Sequence, residues 1–311
     1  MFITLSYYLN NINVNLNIKA MKIAIASGKG GTGKTFVATN LFTYIQRLGI
    51  NVILADCDTE VPNSLIFIKA KEKEAHKVMD YRPIINPDVC KFCGKCVDYC
   101  SYNAIFYVPS LKKISLIPEL CHGCKACSVA CKYGAITDSE LEIGVVRSYS
   151  DKKDNTECNI FEGRMKPREL TGVPTIKSTI VYATAPEADY HLFDSPPGTA
   201  CPFIQTVTRT DFIILVTEPT PFGLSDLKQS VETLKKLDKP YAVVINRSDL
   251  GNKELLSYLT ANDIDLITSI PFSKKIASSY AKGKLEIDEN PESKKYFKEI
   301  FKYLEHKKSL L

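Results

Sequence analysis

Two copies of one cysteine pattern dominate the middle of the chain. The pattern is C-x2-C-x2-C-x3-C, and it runs from Cys90 to Cys100 and again from Cys121 to Cys131. The flanking residues match as well, because a proline stands three residues before each copy and an Ala-Ile pair four residues after it. A unit repeated in this way predicts a small module with a pseudo-two-fold axis.

The spacing of these cysteines bears on which metal they could bind. Structural zinc sites use pairs of cysteines that are separated by longer spacers. Here three cysteines follow one another at steps of three residues, and a fourth stands four residues further on. Three closely spaced thiolates suit three irons of a [4Fe–4S] cubane, with the fourth iron taking a distant cysteine. We therefore favour iron–sulfur clusters over zinc.

Residues 83–140 resemble the bacterial-type two-cluster ferredoxins over their whole length. In that arrangement the fourth cysteine of each run ligates the other cluster. The proline expected after the fourth cysteine is Ser101 in one run and Lys132 in the other, which alters the turn and not the ligation. His122 lies between ligands and is expected at the surface. The resemblance implies two [4Fe–4S] clusters, one on Cys90, Cys93, Cys96 and Cys131 and the other on Cys121, Cys124, Cys127 and Cys100.

A second motif lies near the beginning of the chain and has the form G-x-x-x-x-G-K-T. It follows the apolar run 22–27 and precedes an amphipathic segment at 34–48, so a strand should enter it and a helix should leave it. Backbone N–H groups of such a loop cradle phosphate oxygens. Lys34 would neutralise the β- and γ-phosphates, and Thr35 would offer its hydroxyl to Mg²⁺. The predicted loop consists of Gly28, Lys29, Gly30, Gly31, Thr32, Gly33, Lys34 and Thr35.

Short apolar runs and amphipathic segments alternate in the rest of the chain. Strands are predicted at 22–27, 51–55, 190–193, 211–217, 241–245 and 266–270, and helices at 34–48, 223–237, 253–261 and 293–305. This alternation predicts an α/β fold with a doubly wound, mostly parallel sheet. The segment 141–182 is interpreted as strands and turns. The expected organisation is an arm at 1–20, a nucleotide-binding domain at 21–82 and 141–311, and an inserted α+β cluster module at 83–140.

The phosphate loop carries an additional lysine directly after its first glycine. The sequence K-G-G-T-G-K-T resembles the deviant Walker A loop of the MinD/ParA superfamily, which includes the nitrogenase iron protein. The resemblance covers about residues 21–70 and 180–305. It implies that the nucleotide is ATP and that the chain forms an ATP-dependent homodimer, in which Lys29 reaches the phosphates of the partner subunit.

Three aspartates match the switch segments of that superfamily. The resemblance implies that Asp56 helps to hold the Mg²⁺ shell and that Asp58 orients the attacking water. Turn-forming aspartates at a strand end are the alternative interpretation. Asp194 would bind Mg²⁺ through water, and Gly198 would sense the γ-phosphate. Asn246 follows a strand where family members read the adenine edge, and a simple turn asparagine is an equally good interpretation.

Three cysteines lie outside the repeat: Cys57, Cys158 and Cys201. Cys201 stands seven residues after Asp194, the offset at which the nitrogenase iron protein places a ligand of its subunit-bridging cluster. No C-x-x-C accompanies Cys201. Free cysteines are often simply packed, so we favour a packed or redox-active thiol over a bridging cluster.

The whole arrangement resembles the cluster-containing P-loop ATPases of the MinD superfamily. It implies a Mg-ATP-binding and hydrolysing protein whose partners are a second copy of itself and a redox or iron–sulfur acceptor protein. Three functions are compatible with it. These are nucleotide-gated electron transfer, delivery of iron–sulfur clusters as a carrier or scaffold, and MinD-like positioning with structural clusters.

The charge and hydropathy of the chain limit the partners and the cellular location that we expect for the protein. The net charge is +5 and no basic tract reaches five residues, so we expect no nucleic-acid partner. No apolar run is long enough for a transmembrane helix. The first 20 residues lack a secretory signal pattern, which together with the cysteines indicates a reducing, cytoplasmic location. The apolar stripe of the helix at 293–305 is expected to dock on its own domain in preference to a membrane.

Overall fold

The computed structural model describes residues 20–150, 159–251 and 253–310. The strands in these ranges are β1 (Met21–Ala26), β2 (Val52–Asp56), β3 (Lys71–Ile85), β4 (Ile105–Val108), β5 (Lys113–Leu116), β6 (Ile136–Ser150), β7 (Ile160–Met165), β8 (Tyr190–Asp194), β9 (Phe212–Thr217), β10 (Tyr241–Asn246) and β11 (Leu266–Ile270). The α-helices are α1 (Lys34–Arg47), α2 (Lys95–Asp98), α3 (Ala126–Ala130), α4 (Val173–Thr184), α5 (Cys201–Val207), α6 (Pro221–Lys236), α7 (Glu254–Ala261), α8 (Lys274–Ala281), α9 (Glu286–Glu289) and α10 (Lys294–Lys308).

Nine of these strands form one sheet in the order β11-β10-β9-β1-β8-β2-β7-β6-β3. The seven from β11 to β7 are parallel, and β6 and β3 extend the sheet in antiparallel fashion. The central strands are continuous apolar runs, which is typical of parallel strands that are covered on both faces. The α/β class and the mostly parallel sheet are therefore confirmed.

Helices cover both faces of the sheet. On β1, Ile23 and Ile25 pack in the cluster that contains the buried residues of α1 and α10, whereas Ala24 and Ala26 pack with α5, α6 and α7. Toward the other edge, α4 covers the face of β2 and β8 that carries Phe193. The alternation of neighbouring residues between two cores defines a doubly wound architecture, and the carboxyl ends of the parallel strands meet at one edge.

The cysteine repeat is carried on a long ribbon. The 15-residue strands β3 and β6 pair along their whole length, from Lys71↔Ser150 to Ile85↔Ile136. Residues 86–135 connect their far ends and contain α2, α3 and the β4–β5 hairpin. Ile105 and Ile136, which are equivalent positions of the repeat, are both buried in one small core together with Cys96 and Cys127.

One segment differs from the prediction. Residues 141–182 were expected to contain strands and turns, and β6 and β7 do lie there, but Val173–Thr184 is the helix α4. The segment is rich in β-branched residues, which favour strands when taken locally. Tertiary packing decides for the helix, because Ile176, Ile180 and Ala183 recur at helical spacing and are buried against the sheet.

The last helix docks on its own domain, as expected. Phe297, Ile300, Phe301 and Leu304 form one stripe on α10 and are at most 4% exposed in the core shared with α1. Burying each of these side chains contributes about 1.5–3 kcal/mol. Among the helices formed by the described residues, none is both long and apolar enough to cross a membrane.

Candidate functional site

The phosphate loop lies between β1 and α1, at the carboxyl edge of the sheet. The Ser27 hydroxyl donates a 2.5 Å hydrogen bond to the carbonyl of Lys29 and so closes the start of the loop. At its other end, the Asn246 side-chain amide donates to the carbonyl of Thr32 at 2.8 Å. The backbone N–H of Gly198 donates to the Ser27 carbonyl at 3.1 Å, which brings the segment after β8 to the loop.

A cavity of about 430 Å³ opens beside this loop. This volume is in the range of small-molecule sites. The phosphate loop and Asp58 supply polar lining, and most of the apolar lining comes from the segment after β11. The lining residues include Gly30, Gly31, Gly33, Lys34, Thr35, Asp58, Asn63, Pro197, Asn246, Arg247, Phe272, Ile276 and Tyr280.

Two carboxylates stand side by side at the ends of neighbouring strands. Asp56 of β2 and Asp194 of β8 are register partners, and both are buried. The Thr35 hydroxyl donates to Oδ2 of Asp194 at 2.5 Å. Oδ1 of Asp194 is buried and has no hydrogen-bond partner among the described residues. A buried carboxylate oxygen without a partner, beside a threonine hydroxyl, is a donor set that suits Mg²⁺.

The pKa shifts of the carboxylates at this site also favour a bound cation. Burial, and then the charge of Asp56, raise the pKa of Asp194 to about 8. Burial also raises the pKa of Asp56, although three backbone N–H groups oppose the rise. The pKa of Asp58 is raised to about 6, first by burial and then by Asp56, while Lys34 lowers it. Because three carboxylates are short of positive charge here, a divalent cation would stabilise their ionised forms.

Asp56 and Asp58 have different surroundings. Asp56 accepts hydrogen bonds from the backbone N–H groups of Asp58, Asn63 and Ser64, at 3.1, 2.9 and 2.9 Å. It thereby shapes the turn after β2, which is the structural interpretation raised from the sequence. Asp58 instead lines the cavity, with its backbone in that turn. The proposed roles of Asp56 in a Mg²⁺ shell and of Asp58 on the attacking water stay predictions.

Lys29 and Asn246 differ in their position relative to this cavity. Lys29 does not line the cavity and is partly exposed. Asn246 does line it, but its amide already donates to Thr32 and its Oδ1 accepts from the N–H of Arg247 at 3.0 Å. Asn246 therefore braces the phosphate loop, and its contact with a base stays a prediction.

The sequence did not predict the part of the cavity lining that follows β10 and β11. Arg247 follows Asn246 at the end of β10, and its guanidinium pairs with Glu218 at 2.6 Å. Phe272 follows β11, and Tyr280 of α8 packs against Phe36 and Phe67. The available signal was position, because residues after parallel strands gather at the same edge of the sheet.

The repeated cysteines lie in segment 86–135, which connects the far ends of β3 and β6. Cys90, Cys96, Cys100, Cys127 and Cys131 belong to one small core with the isoleucines of the repeat. Within the described part of the chain, no three His, Cys, Asp or Glu side chains converge on a point that would hold a single metal ion.

Cys100 also lies beside the cysteines of the other run. It lines one small cavity together with Cys121, Cys124 and Cys127 of the other run. This set is the one predicted for the second cluster. The Sγ of Cys100 accepts a hydrogen bond from the backbone N–H of Ala104 at 3.3 Å.

One thiol of the first run also accepts a backbone hydrogen bond, because Sγ of Cys90 accepts from the N–H of Phe92 at 3.3 Å. Burial, and then the neighbouring Cys90, raise the pKa of Cys96 to about 11, and burial raises the pKa of Cys127 in the second run. These thiols therefore become thiolates only when a cationic metal centre binds them. The four thiols that line one cavity are a donor set that suits sulfur-ligated iron, and the clusters themselves stay a prediction.

The spare cysteines differ from each other. Cys57 is fully buried between strand ends, and burial raises its pKa well above the usual range, so it is a packed thiol. Cys201 is exposed and is the first residue of α5. Cys158 lies outside the described residues.

Known proteins share this architecture. The family of CobQ/CobB/MinD/ParA nucleotide-binding domains matches residues 23–287. An uncharacterised protein of Methanocaldococcus jannaschii is 33% identical over 286 residues, which cover 91% of this chain and 96% of that protein. The iron–sulfur cluster carrier protein of Pyrococcus abyssi is 26% identical over 242 residues, which cover 75% and 65% of the two chains.

Solved structures agree on the fold. The septum site-determining protein MinD of Pyrococcus horikoshii, complexed with Mg-ADP, superposes with a TM-score of 0.52 at 20% identity, covering 90% of this chain and 94% of the other. The chain belongs to the CobQ/CobB/MinD/ParA family of nucleotide-binding domains. It is an ATP-binding ATPase of the MinD/ParA type, which confirms that part of the predicted resemblance.

Proposed function

We propose that this ATPase is a cytoplasmic, homodimeric iron–sulfur protein that couples the binding and hydrolysis of Mg-ATP to electron transfer toward a protein partner. One observation carries the proposal. Strands β3 and β6 attach the cysteine-bearing segment 86–135 to the nine-stranded sheet. Asp56 and Asp194 are the last residues of β2 and β8 in that same sheet. Movement at the nucleotide site therefore has a continuous path to the cysteines.

The nucleotide chemistry needs positioning and charge, not covalent catalysis. Lys34 would neutralise the transferred phosphate in the cavity, and Thr35 with Asp194 would hold the Mg²⁺ that the carboxylates attract. Asp58 would orient the attacking water, so that ATP and water yield ADP and phosphate. Lys29, which lies outside the cavity lining, would reach the nucleotide of the partner subunit and close the dimer.

The cysteines supply the redox part. Cys90, Cys93, Cys96 and Cys131 would hold one [4Fe–4S] cluster, and Cys100, Cys121, Cys124 and Cys127 the other. The clusters supply one-electron chemistry, so a reduced low-potential donor protein loses an electron and an oxidised acceptor protein gains it. The placement of Cys100 beside the second run supports this ligand set.

A second function has its own support. Relatives in Pyrococcus and Aquifex are iron–sulfur cluster carrier proteins, and two ligand candidates, Cys93 and Cys124, are exposed. In that case the clusters are cargo for an apo-protein. Transfer of iron and sulfide to an apo-acceptor on addition of Mg-ATP would favour it. A positioning ATPase with structural clusters is the third possibility, and its ATP turnover should be the same whether the clusters are oxidised or reduced.

The deciding experiment is a linkage measurement on the anaerobically purified protein. If nucleotide binding changes the free energy of cluster reduction, reduction must change the affinity for ATP by the same factor. We expect the Kd of Mg-ATP to differ between the oxidised and the reduced protein, and the EPR signal of the reduced protein to change when Mg-ATP is added. Equal affinities and unchanged reduction potentials would rule out gated electron transfer.

A further inference from the structure

Arg82 lies on β3 near the tip of the ribbon and binds two carboxylates from different segments. Its Nη1 is 2.7 Å from Oδ2 of Asp80, and its Nη2 is 3.3 Å from Oε2 of Glu169. The three side chains are only 13%, 22% and 20% exposed. Ion pairs that are shielded from water in this way are costly to break at one partner, so the three groups should move together.

Asp80 connects these ion pairs to the cysteine loop 121–124. Asp80 packs directly on Gly123, which lies between Cys121 and Cys124. A Cβ at Gly123, whose φ is +63°, would lie 2.6 Å from Oδ1 of Asp80. The carboxylate therefore contacts the backbone of the loop, and a displacement of Asp80 must displace the loop or open a gap beside it.

Glu169 connects these ion pairs to the turn beside the nucleotide site. Glu169 lies in the loop between β7 and α4, and both ends of this loop contact Thr59. The N–H of Met165 donates to the Thr59 carbonyl at 2.9 Å, and a Cβ at Gly172 would lie 2.2 Å from Oγ1 of Thr59. Thr59 directly follows Asp58, which lines the nucleotide cavity.

The segment after β8 also borders the ion pairs of Arg82, through a shared cavity. Asp80, Arg82 and Glu169 form part of the wall of a cavity of about 550 Å³. Cys121 of the cysteine loop and Cys201 of α5 line this cavity as well. Because α5 follows Gly198, one segment that would respond to the γ-phosphate borders the cavity that the Arg82 ion pairs line, and the other, at Thr59, contacts both ends of the loop that carries Glu169.

We propose that Thr59, Glu169, Arg82 and Asp80 form the coupling path between the nucleotide site and the cysteine loop 121–124, with Arg82 as the central positioning residue. This inference rests on the proposed function and names its route. When phosphate and Mg²⁺ order the turn at Asp58, Thr59 sets the position of loop 166–172. Glu169 then sets the position of Arg82. Asp80 moves with Arg82 and so changes the position of the cysteine loop 121–124.

The test compares Arg82→Met with Lys95→Met in the full-length protein that carries its clusters. Lys95 lies directly before Cys96 and pairs with Asp98 at 3.5 Å, so the control removes a positive charge and an ion pair beside a cysteine of the other run. The first measurement is the ratio of the Kd values of Mg-ATP in the oxidised and reduced protein. We expect Arg82→Met to bring this ratio to about one and Lys95→Met to keep the wild-type ratio.

The second measurement is backbone hydrogen exchange of residues 119–125, with and without a non-hydrolysable ATP analogue and Mg²⁺. We expect the analogue to change exchange there in the wild type and in Lys95→Met, and to have no effect in Arg82→Met. Glu169→Gln keeps the shape of the side chain but weakens the ion pair. It should reduce both effects, and it replaces Arg82→Met if that variant does not fold.

The outcomes separate the path from the function. A wild-type Kd ratio that differs from one and survives in Arg82→Met would overturn the path and leave gated electron transfer standing. A wild-type ratio of one would overturn gated electron transfer, and hydrogen exchange then decides on the path. Exchange at 119–125 that ignores the nucleotide in the wild type would overturn the path as well.

Discussion

The Thr35 hydroxyl donates a 2.5 Å hydrogen bond to Asp194 Oδ2, which joins the end of the phosphate loop to the end of β8. The second oxygen of Asp194 is left buried without a partner among the described residues. The Thr35 hydroxyl and the unpaired Oδ1 of Asp194 are therefore two oxygen ligands that a Mg²⁺ ion could use. Burial is the main cause of the raised pKa values of both Asp194 and Asp56, and the charge of Asp56 raises that of Asp194 further.

Asp194→Asn should make ATP binding insensitive to Mg²⁺. An interaction with a charged group is worth about 1.5–3 kcal/mol, so the affinity for Mg-ATP should fall by about ten- to a hundred-fold while binding without Mg²⁺ stays unchanged. Calorimetric titration with and without Mg²⁺ measures both values. Asp189→Asn, at the exposed start of the same strand, is the matched control. An unchanged Mg²⁺ dependence in Asp194→Asn would contradict this site.

Asp58→Asn should separate binding from hydrolysis. Because the carboxylate lines the cavity but is not needed to hold phosphate, affinity for ATP should stay within about threefold. Turnover should fall by about a hundred-fold or more, as expected when a positioned acid–base group is removed. Phosphate release under saturating Mg-ATP is the measurement, and Glu60→Gln, two residues away and exposed, is the control. Wild-type turnover in Asp58→Asn would remove this residue from catalysis.

Local sequence predicted those elements whose pattern agrees with their environment. Strands β9 and β10 are uninterrupted apolar runs, and burial on both faces is the reason for that pattern. Helix α4 was missed because Ile176 and Ile180 favour strands locally, and only the sheet beneath them favours a helix.

The candidate site divides in the same way. The loop residues Lys34 and Thr35 form a contiguous motif with a known geometry, so their place was predictable. Arg247 and Tyr280 reach the cavity only through the order of strands in the sheet, which no local pattern contains. The ion pairs of Arg82 are tertiary too, since Glu169 is far along the chain from β3.

Lys29→Ala should abolish ATP-dependent dimerisation and keep ATP binding by the monomer. The side chain does not line the cavity of its own chain, so its loss should leave the affinity for ATP nearly unchanged. Sedimentation velocity with a non-hydrolysable ATP analogue should show a dimer for the wild type and a monomer for Lys29→Ala. Lys236→Ala, an exposed lysine of α6, should dimerise normally. A dimer formed by Lys29→Ala would refute the role of Lys29 across the interface.

His191 should make the fold less stable in mild acid. Its ring is buried on β8, bonds the Ala183 carbonyl at 3.0 Å, and has a pKa lowered mainly by burial. As the pH falls through about 6.5, the unfolded histidine takes up a proton that the folded one does not, so the free energy of unfolding decreases. His191→Gln should lose this dependence.

Urea unfolding at pH 7.5 and 5.5 measures the effect on the nucleotide-free protein. The buried aspartates have raised pKa values and act in the opposite direction, so the difference between wild type and His191→Gln isolates the histidine. His306→Gln, in the exposed last turn of α10, is the control and should follow the wild type. An equal loss of stability in the wild type and in His191→Gln would exclude His191 as the cause.

Metal content tests the cysteine assignment most directly. Two [4Fe–4S] clusters require about eight iron atoms and eight sulfides per chain after anaerobic purification. Cys96→Ala removes a buried ligand and should lower both values to about half. Cys201→Ser should leave them unchanged if Cys201 is a free thiol at the start of α5, whereas a loss of iron shared between two subunits would assign it to a bridging cluster. Stoichiometric zinc in place of iron would refute the cluster assignment altogether.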